Sequence, residues 1–514
     1  MSKTHGMKLP KGWAQAELGA IVEPRTGKAN PQATPLAKFI GMEQVEAHTM
    51  RLLGTVPAST MKSGANVFQP LDVLYGRMRA YLNKVYQPDF GGLCSGEFIV
   101  LPETGAVLGR FLKYRMNSGD FVRFANHLNT GDRPRVDFDQ IKVFALQLPP
   151  KTEQERIADA LDELLSDLDA GVAALERVRA KLKHFRAAVL KAAVEGALTA
   201  DWRTKHPNAE PASTLLSRIL AERRRRWEQS QLQKFKAAGK DPTKGWKDKY
   251  QEPAAPDTTG LPALPGGWCW ASLDQLCSEV RNGYSSKPDA ETGVPILRIS
   301  SVRPLALSLD DMRYLSGCAE DYASHLINEA DLLFTRYNGT PSLVGVCALV
   351  PKIDRDIVHP DKLIRCRMLD GLGSPNFVAI ASNVGSSRGF LAKRIRTTAG
   401  QAGVSGSDIK ETPIPFPPTS EQDEIAELVE DQLSVIDHLE SDLETKLKSA
   451  QALRQSILRH AFTGQLVPQD PSDEPAGELL KRIIAEREHR TRQANATKSS
   501  KPPARCGRRK KNAT

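Results

Sequence analysis

The feature that most constrains this chain is a repeat within it at a fixed offset. Ile141-Lys142 recurs as Ile409-Lys410, and the offset of 268 then holds without a gap for almost sixty residues. Pro149-Pro150 falls on Pro417-Pro418, Glu153-Gln154 on Glu421-Gln422, Leu165-Ser166 on Leu433-Ser434, Arg186 on Arg454, Gly196 on Gly464 and Leu198 on Leu466. Further on, Glu210-Pro211-Ala212 and Ala221-Glu222-Arg223 return as Glu474-Pro475-Ala476 and Ala485-Glu486-Arg487. Upstream, Leu9-Pro10-Lys11-Gly12-Trp13 returns as Leu264-Pro265-Gly266-Gly267-Trp268. Such self-similarity means one structural plan used twice. Between the repeated segments lie two stretches, about 14–140 and 269–408, with little likeness to each other. A frame that is kept while its content varies suits a scaffold that presents two different surfaces.

The longest repeated segment reads as a helix. Pro149-Pro150 cannot lie inside one, and Thr152 with Glu155, like Ser420 with Asp423, reads as a capping box. Apolar residues then recur in steps of four and three at Ile157, Leu161, Leu164, Leu168, Leu175, Val178, Leu182, Phe185 and Val189. The second copy has them at Ile425, Val429, Ile436, Leu439, Leu443, Ala450, Leu453 and Ile457. This is a heptad seam, interrupted by Gly171 in one copy and by Gln432 and Lys446 in the other. Each helix is expected to run ~45 residues, about 67 Å at 1.5 Å per residue, and to stop near Gly196 or Gly464. Two such helices in one chain are expected to pair as an antiparallel coiled coil, with the two copies related by a pseudo-two-fold axis. Periodicity alone leaves a dimerisation or spacer rod open.

The expected order is a variable domain over 1–150, a central helix over 151–200, a basic linker over 201–263, and a second variable domain over 264–418. A C-terminal helix over 419–468 and a charged, flexible tail over 469–514 complete it. Both variable domains read as mixed α/β (α+β) with short strands. The chain of 514 residues carries a net charge of +10, which suggests a polyanionic partner. The excess is uneven: 203–249 hold 13 basic against 5 acidic residues and 481–514 hold 12 against 2, whereas 264–418 balance at 16 each. The helical segments are acidic, with 8 basic against 9 acidic residues over 151–200 and 4 against 11 over 419–470, so they are expected to face proteins rather than phosphates. No run of ~18 apolar residues is present, so no membrane span is expected. The first residues lack a secretory apolar stretch, and the seven cysteines show neither CxxC nor zinc spacing, which fits reduced thiols in a cytoplasm.

In the variable domains, Asp72–Val85 reads as strand, polar turn and strand, and carries Arg77, Arg79, Tyr81 and Asn83. Its counterpart from Asp331 to Pro341 carries Arg336, Tyr337 and Asn338. Arg matches guanine edges and phosphates, Asn matches adenine, and Tyr stacks or donates. An ordinary hairpin with solvated polar residues accounts for each turn taken singly. A second loop precedes the repeated frame in each copy: Gly131-Asp132-Arg133-Pro134-Arg135, and Thr397 to Gly403 with Gln401. Small residues there permit close backbone approach. Arg388, Lys393, Arg394 and Arg396 read as a basic patch or a solvated helix face. Catalytic signatures are missing: Gly27-Lys28 and Gly239-Lys240 do not complete a phosphate loop, no amino-methyltransferase segment occurs, and no cluster suggests a metal. Asp89 and Glu97 have a loosely nuclease-like spacing, but Phe98-Ile99 stands where a lysine is needed.

Together, Leu-Pro-x-Gly-Trp leading each variable domain, Pro-Pro-x-x-Glu-Gln opening each helix and Ala-x-x-Gly-x-Leu closing it resemble the DNA-specificity subunits of type I restriction–modification enzymes. These elements stand at Leu9–Trp13, Pro149–Gln154 and Ala193–Leu198, then at Leu264–Trp268, Pro417–Gln422 and Ala461–Leu466. The resemblance implies a non-catalytic subunit whose two target-recognition domains each bind half of a bipartite double-stranded DNA target. It implies helices that dock two methyltransferase subunits using S-adenosylmethionine on adenine, and restriction/translocase subunits using ATP with Mg2+, with no cofactor on this chain and no metal or membrane. The candidate DNA contacts it implies are Arg77, Arg79, Tyr81, Asn83, Arg133 and Arg135 in the first domain, and Arg336, Tyr337, Asn338 and Gln401 in the second. The basic tail from Arg505 to Lys511 lies outside the shared pattern and would be a weak nonspecific DNA arm. A coiled-coil adaptor with two protein-binding heads is the alternative; it explains the helices but not the paired Arg/Tyr/Asn turns.

Overall fold

The computed structural model describes residues 9–128, 134–398 and 401–486. It divides into two compact units: the described residues up to Arg177 together with those from Leu443 onward, and Val178–Asp442. Each unit therefore holds one variable region and part of both long helices. Those helices span Lys151–Val194 and Thr419–Phe462, 44 residues each, and both ends keep the 268-residue offset.

Inside the first unit, Ile157, Leu161 and Leu165 from the start of the first long helix share a core with Leu458, Ala461 and Phe462 from the end of the second. Inside the second unit, Val189, Leu190, Ala193 and Val194 from the end of the first helix meet Ile425 and Val429 from the start of the second. Beginning against end in one unit and end against beginning in the other is antiparallel pairing, as the sequence leads one to expect. Ion pairs repeat the rule at the repeat offset: Asp169 with Arg454 in the first unit, Asp437 with Arg186 in the second.

Two details depart from the heptad reading. Leu164 is 41% exposed and Phe185 is 52% exposed, while Leu165, off the expected seam, is buried. The helix's first turns answer to their own variable domain as well as to the partner helix. The short helix Gly109–Asn117 lies against them, with Arg110 paired to Asp159 at 2.9 Å and to Asp162, and Tyr114 also bonded to Asp162. The buried stripe turns toward that domain. The caps also differ. The first long helix begins at Lys151, so Thr152 lies within its first turn and donates its hydroxyl to Asp473 rather than capping. The carbonyl of Pro150 accepts the Gln154 N–H at 2.9 Å, and in the second copy Pro418 accepts from Gln422 at 2.9 Å, so the second proline supplies the terminal acceptor. Both helices stop at a glycine in the left-handed region, Gly196 at φ 75° and Gly464 at φ 72°. There a side chain would also collide with Pro265 or Pro10 of the repeated proline-tryptophan motif.

The repeated Glu-Gln pair is the hub that ties helix to domain. Trp13 donates its indole N–H to Glu153 at 3.0 Å, and Trp268 donates to Glu421 at 2.8 Å. Gln154 accepts from Leu108 N–H at 3.0 Å and donates to the Ala106 carbonyl at 2.9 Å; Gln422 accepts from Ser374 N–H at 2.7 Å. All four side chains of these two Glu-Gln pairs are buried, which is stable for polar groups only because they are bonded. Beside each tryptophan a strand pairs with the segment entering the helix: Ala14–Glu17 with Ala145–Leu148, and Cys269–Ser272 with Pro413–Phe416.

The variable regions are more alike in structure than in sequence. In the first, strand Val73–Gly76 lies between Val85–Tyr86 and Phe98–Leu101, next to a five-stranded sheet, and helices Gly109–Asn117 and Gly119–His127 follow. In the second, Leu332–Thr335 lies between Cys347–Leu349 and Leu363–Met368, with Cys277–Asn282 at the edge, and helices Pro375–Asn383 and Gly385–Arg394 follow. A buried aspartate precedes each central strand: Asp72 accepts from Gln69 N–H and pairs with Arg25, and Asp331 accepts from Asn328 N–H and pairs with Arg367.

Residues 201–263, expected as a basic linker, instead include the helix Ala212–Ala237, whose Ala212, Leu215 and Ile219 are buried in the second unit's core. Its first residue donates to the Gly267 carbonyl at 2.8 Å, as Ala476 does to Gly12 at 2.9 Å. Ala476 and Leu480 are buried in the first unit's core, so this part of the segment expected as a flexible tail is docked. The charge of these segments hides a three-residue apolar stripe at helical spacing. The basic run Arg505–Lys511 lies outside the described residues.

The second unit also buries His359 completely. Its Nδ1 lies 2.6 Å from the His325 carbonyl, and its Nε2 has no hydrogen bond within normal geometry among the described residues. Burial pushes its pKa down to about 4 from the ordinary 6.5. A base with a depressed folded pKa contributes stability that is present above its unfolded pKa and lost as pH falls toward the folded one. Between pH 6.5 and 4 the protein is therefore expected to lose on the order of 3 kcal/mol through this ring. Denaturation midpoints measured across that range should fall steeply in the native chain and more shallowly in His359→Gln; equal slopes would refute the assignment.

Candidate nucleic-acid interface

In both units the chain leaving the central strand is held by backbone bonds to the segment just ahead of the repeated frame. In the first unit Arg79 N–H donates to the Pro134 carbonyl at 2.9 Å, Val136 N–H donates to the Arg77 carbonyl at 3.0 Å, and Met78 bridges Arg135. In the second, Tyr337 and Asn338 pair with Gly403 and Ala402, and Val404 N–H donates to the Arg336 carbonyl at 3.0 Å. Residues 134–136 and 402–404 stand at the same 268 offset, so the frame begins earlier than sequence identity reveals. Asp137 and Ser405 follow, each opening a short helix, Phe138–Ile141 and Gly406–Lys410, with a capping box. The turn and the later loop, far apart in sequence, thus form one surface in each unit.

The first surface is a charge cluster. Arg77 pairs with Asp137 at 2.9 Å and approaches Glu97 at 3.9 Å, and Arg135 grips Glu97 through two bonds of 3.1 and 2.7 Å. Arg77 is 32% exposed at its side chain, so it is partly committed inward. Glu97 serves these arginines, which accounts for it without a nuclease role. Arg79 and Tyr81 are exposed, with Arg79 in the left-handed region at φ 54°. Asn83 is the correction: at 3% exposure it faces inward, and its amide donates to the Asn117 carbonyl at 3.0 Å. A left-handed backbone at φ 44°, which Asn tolerates better than most residues, turns it toward the helices. It supports the turn and does not face solvent. Arg133 lies outside the described residues.

On the second surface the Tyr337 ring lies under two cations, Arg336 at 4.8 Å and Lys362 at 5.3 Å. Its ring edge rests on Gly403, where any Cβ would overlap it, so the small residue here does permit close approach. Asn338 accepts from the Thr340 N–H at 2.9 Å, which stiffens the turn, and Gln401 is exposed. The basic patch resolves into unlike roles. Arg388 donates to the carbonyls of Val344 and Ser342, and Arg394 stacks on Phe390 while pairing with Asp408 at 3.5 Å and Glu411 at 3.7 Å. Lys393 and Arg396 are exposed. Sequence reasoning missed Glu97, Asp137 and Lys362, since nothing local marks a charge whose partner lies tens of residues away. Among the described residues, no cluster of His, Cys, Asp and Glu gathers to hold a metal, and no helix is long and apolar enough to cross a membrane.

Comparisons with known proteins agree with this construction. The family described as type I restriction modification DNA specificity domain matches residues 94–177, which span the end of the first variable region and the first part of its helix. The type I restriction enzyme EcoKI specificity subunit of Escherichia coli K12 is 29% identical, with 93% of this chain and 96% of that one covered. The chain is similar to the type I restriction–modification specificity subunits along nearly its whole length. The StySPI specificity subunit of Salmonella potsdam is similar at 24% identity, covering 93% of this chain and 96% of its own. The fold also matches a solved chain described under complex assembly and conformational transition of the type I R-M system, with TM-score 0.59 and 17% identity over 90% of this chain and all of that one.

Proposed function

We propose that this specificity subunit reads a bipartite DNA target, one half by each unit, and directs partner subunits to it without catalysing any step itself. The observation that carries the reading is the twice-built surface: one backbone clasp at one repeat position, holding Arg79 and Tyr81 in one unit and Arg336, Tyr337 and Gln401 in the other. A clasp that is kept while its side chains change is suited to two different base sequences. In this reading two methyltransferase subunits supply adenine methylation with S-adenosylmethionine, and restriction/translocase subunits supply ATP- and Mg2+-dependent cleavage. Arginine at such a turn makes two bonds to guanine O6 and N7, and a good pair discriminates by ~1–3 kcal/mol.

The test is to map methylated sites made by the chain with its methyltransferase subunits, before and after Arg336→Ala. The native complex should mark a site with two specific halves, and the variant should relax one base position in one half. Equal weakening on target and random duplex would assign Arg336 to phosphate. Methyl transfer by the chain alone would overturn its non-catalytic role.

A further inference from the structure

The helix Ala212–Ala237 leaves the core after Ile219 and is rejoined by the returning chain at Trp246–Lys249 and Tyr250. An aromatic knot holds the two together: Trp227 stacks on Trp246 at 6.0 Å and meets Tyr250 at 5.2 Å, and Phe235 meets Trp246 edge-on at 6.1 Å. The charges on this arm fall into two tiers. Near its base the cations are matched: Arg225 and Arg226 by Glu222, and Arg224 and Lys247 by Glu228. Lys234, Lys236, Lys240 and Lys244 toward its tip, and Lys249 on the returning chain, are exposed, and none makes an ion pair among the described residues. A mere connection needs no aromatic knot, and this one keeps five like charges on an ordered frame. The base is anchored to the repeated frame, since Asp274 takes both Arg223 at 3.2 Å and Lys410 at 3.8 Å. The second copy repeats the charge in sequence, with 12 basic against 2 acidic residues over 481–514.

We propose that this arm is a second DNA-binding element, gripping the phosphate backbone of the duplex through its exposed lysines independently of base sequence. The inference rests on the DNA-reading function above. Its role is affinity and retention on DNA, with specificity left to the turns.

The test replaces the five exposed lysines with glutamine in the full chain and measures binding to target and scrambled duplexes of equal length over a salt series. Each phosphate that is no longer neutralised by a lysine lowers the slope of log affinity against log salt by ~0.9. If three of the five reach phosphates, the slope should flatten by about 2.7 on both duplexes alike. Lysine-to-arginine replacement at the same positions should keep the native slope. An unchanged slope in the glutamine variant, or a loss confined to the target, overturns the arm. So does a variant that keeps its DNA slope but no longer binds a methyltransferase subunit, which would assign the arm to an acidic protein surface. A native chain that prefers no sequence, yet shows a flatter slope in the variant, would sink the reading function and leave the arm standing.

Discussion

A chimera carrying residues 23–136 of a relative with a different target is expected to direct methylation to a site with one half new and the other unchanged. The junctions follow from the fold. Ala14–Glu17 pairs with Ala145–Leu148, Leu18 N–H donates to the Phe144 carbonyl at 2.9 Å, and Gly19 N–H donates to Lys142 at 2.8 Å. Leu18, Ile21 and Ile141 are fully buried in one cluster. Residues up to Val22 and from Asp137 onward therefore stay with the native helix, while the clasp residues 134–136 travel with the turn they hold. Junctions at the edge of sequence identity, exchanging 14–140, would separate strand Ala14–Glu17 and Leu18 from the native partners they pack against. The 23–136 chimera should accordingly keep more of the native thermal stability than the 14–140 chimera. Sequencing the methylated sites decides the functional part: both halves changed, or neither, would refute one unit reading one half.

Leu161→Asp and Leu164→Asp should differ by several kcal/mol although both lie on the heptad pattern. Leu161 is fully buried in the cluster that includes Phe111, Leu458 and Phe462, which has no room for a hydrated carboxylate. Removing a buried leucine costs about 2–5 kcal/mol, and an unpaired charge in its place adds to that, which is comparable with the whole stability of a typical domain. Leu164 is 41% exposed, so an aspartate there stays hydrated and should cost within ~1 kcal/mol. Denaturant unfolding of the two variants measures the difference; similar losses would mean that the seam closes over Leu164 after all.

That pair marks the limit of reading periodicity. A step of three and four predicts which residues share a face of a helix, but not which neighbour that face meets. Here the neighbour changes along the helix, from one variable region and the end of the partner helix in the first unit to the other variable region and the start of the partner helix in the second. The same limit applies to charge. Arg77 and Arg135 read as free outward groups, but Glu97 and Asp137 lie beside them; Asn83 reads as a base contact, but a left-handed backbone turns it inward. Arg388 and Arg394 read as a phosphate patch and are largely occupied by carbonyls, carboxylates and a ring.

By itself the sequence determined the duplicated frame, both long helices with their proline starts and glycine stops, and their antiparallel pairing. These rest on local chemistry, namely backbone donors a proline lacks, conformations a glycine permits, and an apolar stripe that must find a partner. Tertiary structure decided that two dissimilar variable regions share one arrangement, that 212–219 and 476–480 dock on cores, and which polar side chains remain outward. The physical reason is that burial and charge pairing depend on distances between residues remote in sequence. Arg77 to Asp137 or Trp268 to Glu421 become neighbours only once backbone clasps have closed the loops between them.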